Sequence, residues 1–170
     1  MLRICRLAAY ATILSLMGCV PARNPVTAIS GISEAELTLY EGNGPCSVHG
    51  QAFLKTRGGD VKYGAGETVT LMPDIRLLNE IIGINSIPRQ YAVLQPDIDR
   101  KWQALKRQTQ ADGEGKFEFN TIPCGAWFVE SRVTWEVIQS QYSSSIQGGP
   151  VSSRVKVSPQ NSPARVMLTY

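Results

Sequence analysis

The chain has 170 residues, 43% of them hydrophobic and 18% charged, with a formal net charge of +3. That length bounds it to one ordinary domain with enough residues for a real core. Arg3 and Arg6 fall in the first eighteen residues, which leaves 15 basic against 14 acidic side chains and no basic run of five, so nucleic acid is excluded as the expected partner.

Arg3 and Arg6 form a short basic region, and Leu7 to Met17 follow as eleven uncharged residues. The order of basic region, apolar run and small residue is that of a secretory signal. The run is too short to span a bilayer, which needs about 20 apolar residues. It ends in Leu16-Met17-Gly18-Cys19, which resembles the bacterial lipobox. Small Gly18 lets a peptidase approach the bond, and the Cys19 thiol offers a nucleophile for lipid attachment. The resemblance implies removal of residues 1–18, acylation of Cys19 and display on a membrane facing the periplasm. Several acyl chains hold a protein stably where one does not. Val20, in place of Asp, implies the outer membrane. The alternative is an ordinary signal with a chance cysteine. Cys5 lies within the signal and leaves with it.

Residues 20–33 hold two prolines, a glycine and small polar residues, which suggests an extended tether within an acylated segment 19–45. Residues 35–40 either add a strand or end the tether. From Cys46 the pattern alternates, with Val48, Gly50, Ala52 and Leu54 on one face. His49, Gln51 and Lys55 fall on the other, and Phe53 is an apolar exception there. A glycine-punctuated loop spans residues 56–66, and Glu67 to Met72 make a second strand with Val69 and Leu71 inward.

Pro73 stops that strand, and Asp74 is a candidate cap for a helix carrying Ile75, Leu78 and Ile82. Asp97 is a candidate cap for a second helix, with Ile98, Trp102 and Leu105 on one face. Stripes of three apolar residues suit helices docked as a lid on the domain. An exposed partner surface is the alternative. Strands resume at Thr109, Asp112-Gly113 marks a turn, and Lys116 to Phe119 alternate. Ala126 to Val137 is the clearest strand, with Trp127, Val129, Val133, Trp135 and Val137 on one face and Ser131 interrupting. Residues 138–150, rich in Ser, Gln and Gly, read as a surface loop. Val151 to Val157 and Arg165 to Tyr170 are the final strands.

Besides the anchor, Cys46 and Cys124 remain. An even count in an oxidising compartment fits one disulfide. It would close a loop of about 79 residues, for which the chain-entropy model gives roughly 4.5 kcal/mol. Free thiols are the alternative. A metal site from Cys46, Cys124 and His49 lacks a fourth ligand.

Val48-His49-Gly50-Gln51-Ala52, Ala65 to Leu71, and Thr109 to Phe119 followed by Pro123-Cys124-Gly125 resemble the carboxypeptidase regulatory-like family. The match covers most of residues 46–170. It implies a mainly β fold, a seven-stranded antiparallel sandwich of transthyretin-like type, with a partly helical insert at about 73–108 that departs from the family. Members do many things, so the fold does not assign function.

No catalytic constellation accompanies it. The chain has one histidine, His49, and no Gly-x-Ser-x-Gly elbow. Asp112 to Gly115 lacks the ligand ladder of a calcium loop and reads as a hairpin turn. Trp127 and Trp135 share a strand face with valines, so the core is their expected place. No cofactor is expected. The reading is a non-enzymatic module for another cell-envelope or secretion-complex protein, engaged through residues 74–108 and 138–150. The alternatives are a glycan-binding module and an enzyme accessory domain.

Overall fold

The computed structural model describes residues 22–170. The signal, the lipobox Leu16–Cys19 and Val20 lie outside the described residues.

Two four-stranded sheets face each other. In the first, β2 (Cys46–Lys55) is flanked by β10 (Ala164–Leu168) on one side, and by β3 (Val61–Tyr63) and β7 (Lys116–Ile122) on the other. The second has the order β6 (Arg107–Gln110), β4 (Thr68–Pro73), β8 (Gly125–Ser140), β9 (Ser143–Val157). The expected seven-stranded antiparallel sandwich is therefore corrected in two ways. The facing sheets contain eight strands, and β10 pairs with β2 in parallel.

The alternation read from the sequence orients these strands. Val48, Ala52 and Leu54 of β2 and Phe117 and Phe119 of β7 are buried inward. They meet Val69 and Leu71 of β4 and Trp127, Val129 and Val133 of β8 in one core cluster. Ser131 belongs to that inward row. Its hydroxyl donates to the Thr68 carbonyl at 3.1 Å, which meets the cost of burying a polar group. Gly50 is required by close approach: a Cβ there would lie 2.6 Å from the Val166 carbonyl oxygen.

Cys124 lies in the two-residue link between β7 and β8 and is bonded to Cys46 at the start of β2. The bond pins the point where the chain crosses from one sheet to the other.

The segment expected as a tether is folded where it is described. Residues Asn24–Thr27 form β1, paired in parallel with β5 (Gln90–Val93). Residues Glu34–Tyr40 form a helix, α1, opened by a reciprocal capping box between Ser33 and Glu36. Tyr40 is buried, stacks edge-on against Trp127 at 5.0 Å between ring centroids, and donates its hydroxyl to the Ala126 carbonyl at 3.0 Å. Glu80 accepts from the Ile29 and Ser30 amides at 2.8 Å each and clasps the chain between β1 and α1.

The insert holds α2 (Arg76–Ser86), β5 and α3 (Pro96–Leu105). Neither expected cap acts as one. Ile75 occupies the cap position of α2, and Gln95 that of α3. Pro96 opens α3 with its fixed φ, and Asp97 and Asp99 sit in the first turn, where the helix dipole favours them. Asp74 turns instead to Arg154 of β9, with 3.6 Å between carboxylate and Nε. Ile82, expected on the buried stripe, is 37% exposed.

Residues 138–150 are not a loop. β8 and β9 pair almost continuously from Gly125↔Val157 to Ser140↔Ser143, making one long hairpin. Backbone pairing with a strongly alternating partner overrides the local composition, as strand propensity is set largely by context.

Candidate functional site

The two sheets differ in what lies outside them. On the second sheet, Met72 and Phe128 are paired and point away from the sandwich core. Met72 is only 5% exposed, and Phe128 packs against the core cluster together with residues of the helices. Arg154, paired with Phe128 and thus on the same outer face, hydrogen-bonds Asn79 of α2 through its guanidinium. Leu77, Leu78, Trp102 and Leu105 are buried in this helical layer. The insert is thus a cover over part of the second sheet.

On the first sheet, an open groove of about 780 Å³ runs over the outward side chains of β2, β7 and β10. Strand register sets its geometry. Arg165 of β10, His49 of β2 and Glu118 of β7 form one row. Met167, Gln51 and Lys116 form the next. Neighbouring strands are about 4.8 Å apart, so each row presents its side chains at regular steps across the face. Asn120 stands beside His49, with 3.5 Å between Oδ1 and Nε2.

Farther along β2, Phe53 pairs with Tyr63 of β3. Paired residues share a face, so both rings lie on the side that carries His49 and Gln51. Tyr63 is 44% exposed. The apolar exception at Phe53 is the sequence signal that marks this end of the face; a search confined to tryptophans misses it. Trp102 and Trp127 are buried and Trp135 is half-buried.

The charges of this face divide into occupied and open. Asp112 is committed to its own turn, accepting from the amides of Glu114 at 2.8 Å and Lys116 at 2.9 Å. Gly115, with φ of 72°, completes that turn. Lys116 is paired with Glu114, whose hydrogen bond and charge hold the ammonium above its ordinary pKa. Among the described residues, Arg165 and Glu118 take part in no ion pair. The row therefore carries a cation, an imidazole and a carboxylate, and Asn120 links the last two, its amide donating to Glu118 at 3.5 Å.

No nucleophile pair arises from Cys46 and His49, because Cys46 is held in the disulfide. Among the described residues, no group of three or more His, Cys, Asp or Glu side chains is placed to hold a metal. The outward residues of β2, β7 and β10 thus form an open face of mixed charge.

The hairpin of β8 and β9 is the other prominent surface. Ile138 is 80%, Tyr142 89% and Ile146 71% exposed near its tip.

No family model matches the chain. No curated protein matches it either. Among solved structures, the chain is similar to a crystal structure from Pseudomonas aeruginosa described provisionally as a carbohydrate binding protein. The identity is 26% and the TM-score 0.65, over 81% of this chain and 97% of that one. The chain is thus distantly related to that β-domain across nearly all of the other protein's length.

Proposed function

We propose that this chain is a glycan-binding module held on the outer membrane by acyl chains on Cys19, with the outer face of β2, β7 and β10 as its glycan surface. The observation that carries the reading is the open polar row of Arg165, His49 and Glu118 beside Gln51, Lys116 and Asn120. Sugar hydroxyls both donate and accept, so a face mixing amides, a carboxylate and cations suits them. Phe53 and Tyr63 add apolar surface for the C–H face of a sugar ring. The described carbohydrate-binding relative supports the same reading. The resemblance of most of residues 46–170 to the carboxypeptidase regulatory-like family agrees with a non-catalytic display role.

Binding of the mature protein to a panel of bacterial surface and matrix polysaccharides, followed by titration calorimetry on the hits, tests this. Losing one hydrogen bond to a charged group costs about 1.5–3 kcal/mol, so Arg165→Ala and Glu118→Ala should each weaken binding about tenfold or more. Tyr142→Ser should leave binding unchanged. Absence of any hit, or hits indifferent to both groove variants, would remove the proposal.

A second reading rests on the hairpin tip. Exposed Ile138, Tyr142 and Ile146 fit contact with another envelope protein. In-cell cross-linking from the tip that captures one stoichiometric partner would favour it.

A further inference from the structure

The β1–β5 ladder has an inner and an outer face that differ sharply. Val26 and Ala28 turn inward, and Ala28 belongs to the core. Pro25, paired with Tyr91, and Thr27, paired with Val93, turn outward. All four are exposed, and the alternation continues to Ile29, which is 88% exposed. Ile87, at the turn into β5, is 47% exposed. The outer face is therefore largely apolar, with one tyrosine at its middle.

Arg23 and Arg89 flank it, and both are exposed. Neither residues 23–29 nor residues 87–93 include an acidic side chain. Apart from Glu80, whose carboxylate is held by the Ile29 and Ser30 amides, the face combines apolar groups, a tyrosine and arginines, the composition of surfaces that sit among lipid headgroups.

The position of this face in the chain makes that composition meaningful. Asn24 begins β1 five residues after Cys19. Fully extended, five residues reach about 17 Å. The following segment has no slack, because Glu80 clasps Ile29 and Ser30, and α1 is tied down through Tyr40. An acyl group on Cys19 would thus hold the start of β1 within about one headgroup layer and a short spacer of the bilayer core.

We infer that the outer face of β1 and β5 lies on the phospholipid surface that carries the acyl chains, with Tyr91 and Ile29 at headgroup depth and Arg23 and Arg89 near lipid phosphates. The inference rests on acylation of Cys19. The domain is then seated on its membrane in one orientation, instead of swinging on a long tether.

Brominated lipids report depth through quenching of indole fluorescence. The acylated protein is reconstituted into vesicles of phosphatidylethanolamine and phosphatidylglycerol with bromine near the headgroup, and floated on a density gradient. Tyr91→Trp should add emission that is blue-shifted and quenched by the brominated lipid, after subtraction of the wild-type signal. Val93→Trp repeats the reading at the neighbouring outward position, so that a fault in one variant does not decide the matter. Tyr142→Trp, at the hairpin tip, should add emission that is not quenched.

Protein that floats with the vesicles while the indoles at positions 91 and 93 stay unquenched would leave the anchor standing and overturn the inference. Protein that does not float, with Cys19 unmodified by mass spectrometry, would overturn the anchor and the inference together. A concentration-dependent blue shift at position 91 without vesicles would assign the face to a second copy of the chain, and would also overturn the inference.

Discussion

Each sheet carries a phenylalanine on its outer side, and the two have different surroundings. Phe128 of β8 lies beneath the helical layer and packs against the core cluster, next to Met72. Phe53 of β2 stands half-exposed beside Tyr63, outside that cluster. Alternation alone puts both residues on an outer face. What differs is the cover: the insert between β4 and β6 folds over the second sheet and leaves the first sheet open. The polar rows of His49, Gln51, Glu118 and Arg165 persist where no described element covers them, and apolar Met72 and Phe128 occur where helices do.

The largest disturbance comes from removing what the two regions share. Trp127 is fully buried, donates its indole N–H to the Pro123 carbonyl at 3.0 Å and supports Tyr40. Trp127→Ala should cost about 3–5 kcal/mol in urea denaturation and expose both sheets together. A loss below about 1 kcal/mol would mean that the core relaxes around the gap.

A smaller change separates the regions. Phe128→Ala should destabilise by about 2–3 kcal/mol and reduce hydrogen-exchange protection in α2 and α3, since its ring is part of what the helices bury against. Phe53→Ala should cost only about 0.2–1 kcal/mol, the worth of one cross-strand pair, and should weaken glycan binding instead. Equal costs for the two substitutions would abolish the distinction between covered and open faces.

The smallest effect concerns the clasp that holds the leader. The Ser30 hydroxyl, followed by the Ile29 and Ser30 amides, holds the Glu80 carboxyl below its ordinary pKa. A carboxyl with a depressed folded value contributes stability above its unfolded pKa and loses it as pH falls through the folded value. Below the usual carboxylate range, amides of β1 should therefore lose exchange protection before those of β2 and β8. Glu80→Gln should show that weakened protection already at neutral pH. Unchanged protection of β1 in either experiment would show that its pairing with β5 suffices alone.

Much of the sandwich is legible in the sequence. The inward rows of β2, β7 and β8, the pairing of Cys46 with Cys124 and the turn at Asp112 to Gly115 all follow from period-two patterning, cysteine count and turn chemistry. The helix at Glu34–Tyr40 also had a readable signal, Ser33-Glu34-Ala35-Glu36, which is a capping box. The proposed binding face was half legible. His49, Gln51 and the anomalous Phe53 were placed on the correct side, but their companions on β7 and β10 come from residues more than sixty positions away.

The sequence by itself determined which residues of each strand face the core, because side-chain alternation is local and every second position must leave water. Only the tertiary structure decided which outer face is covered, that Asn24–Thr27 pairs with Gln90–Val93, and that a Ser-rich stretch continues a hairpin. Those outcomes depend on hydrogen-bond partners and apolar surfaces distant in the chain, and no local pattern encodes which partner arrives.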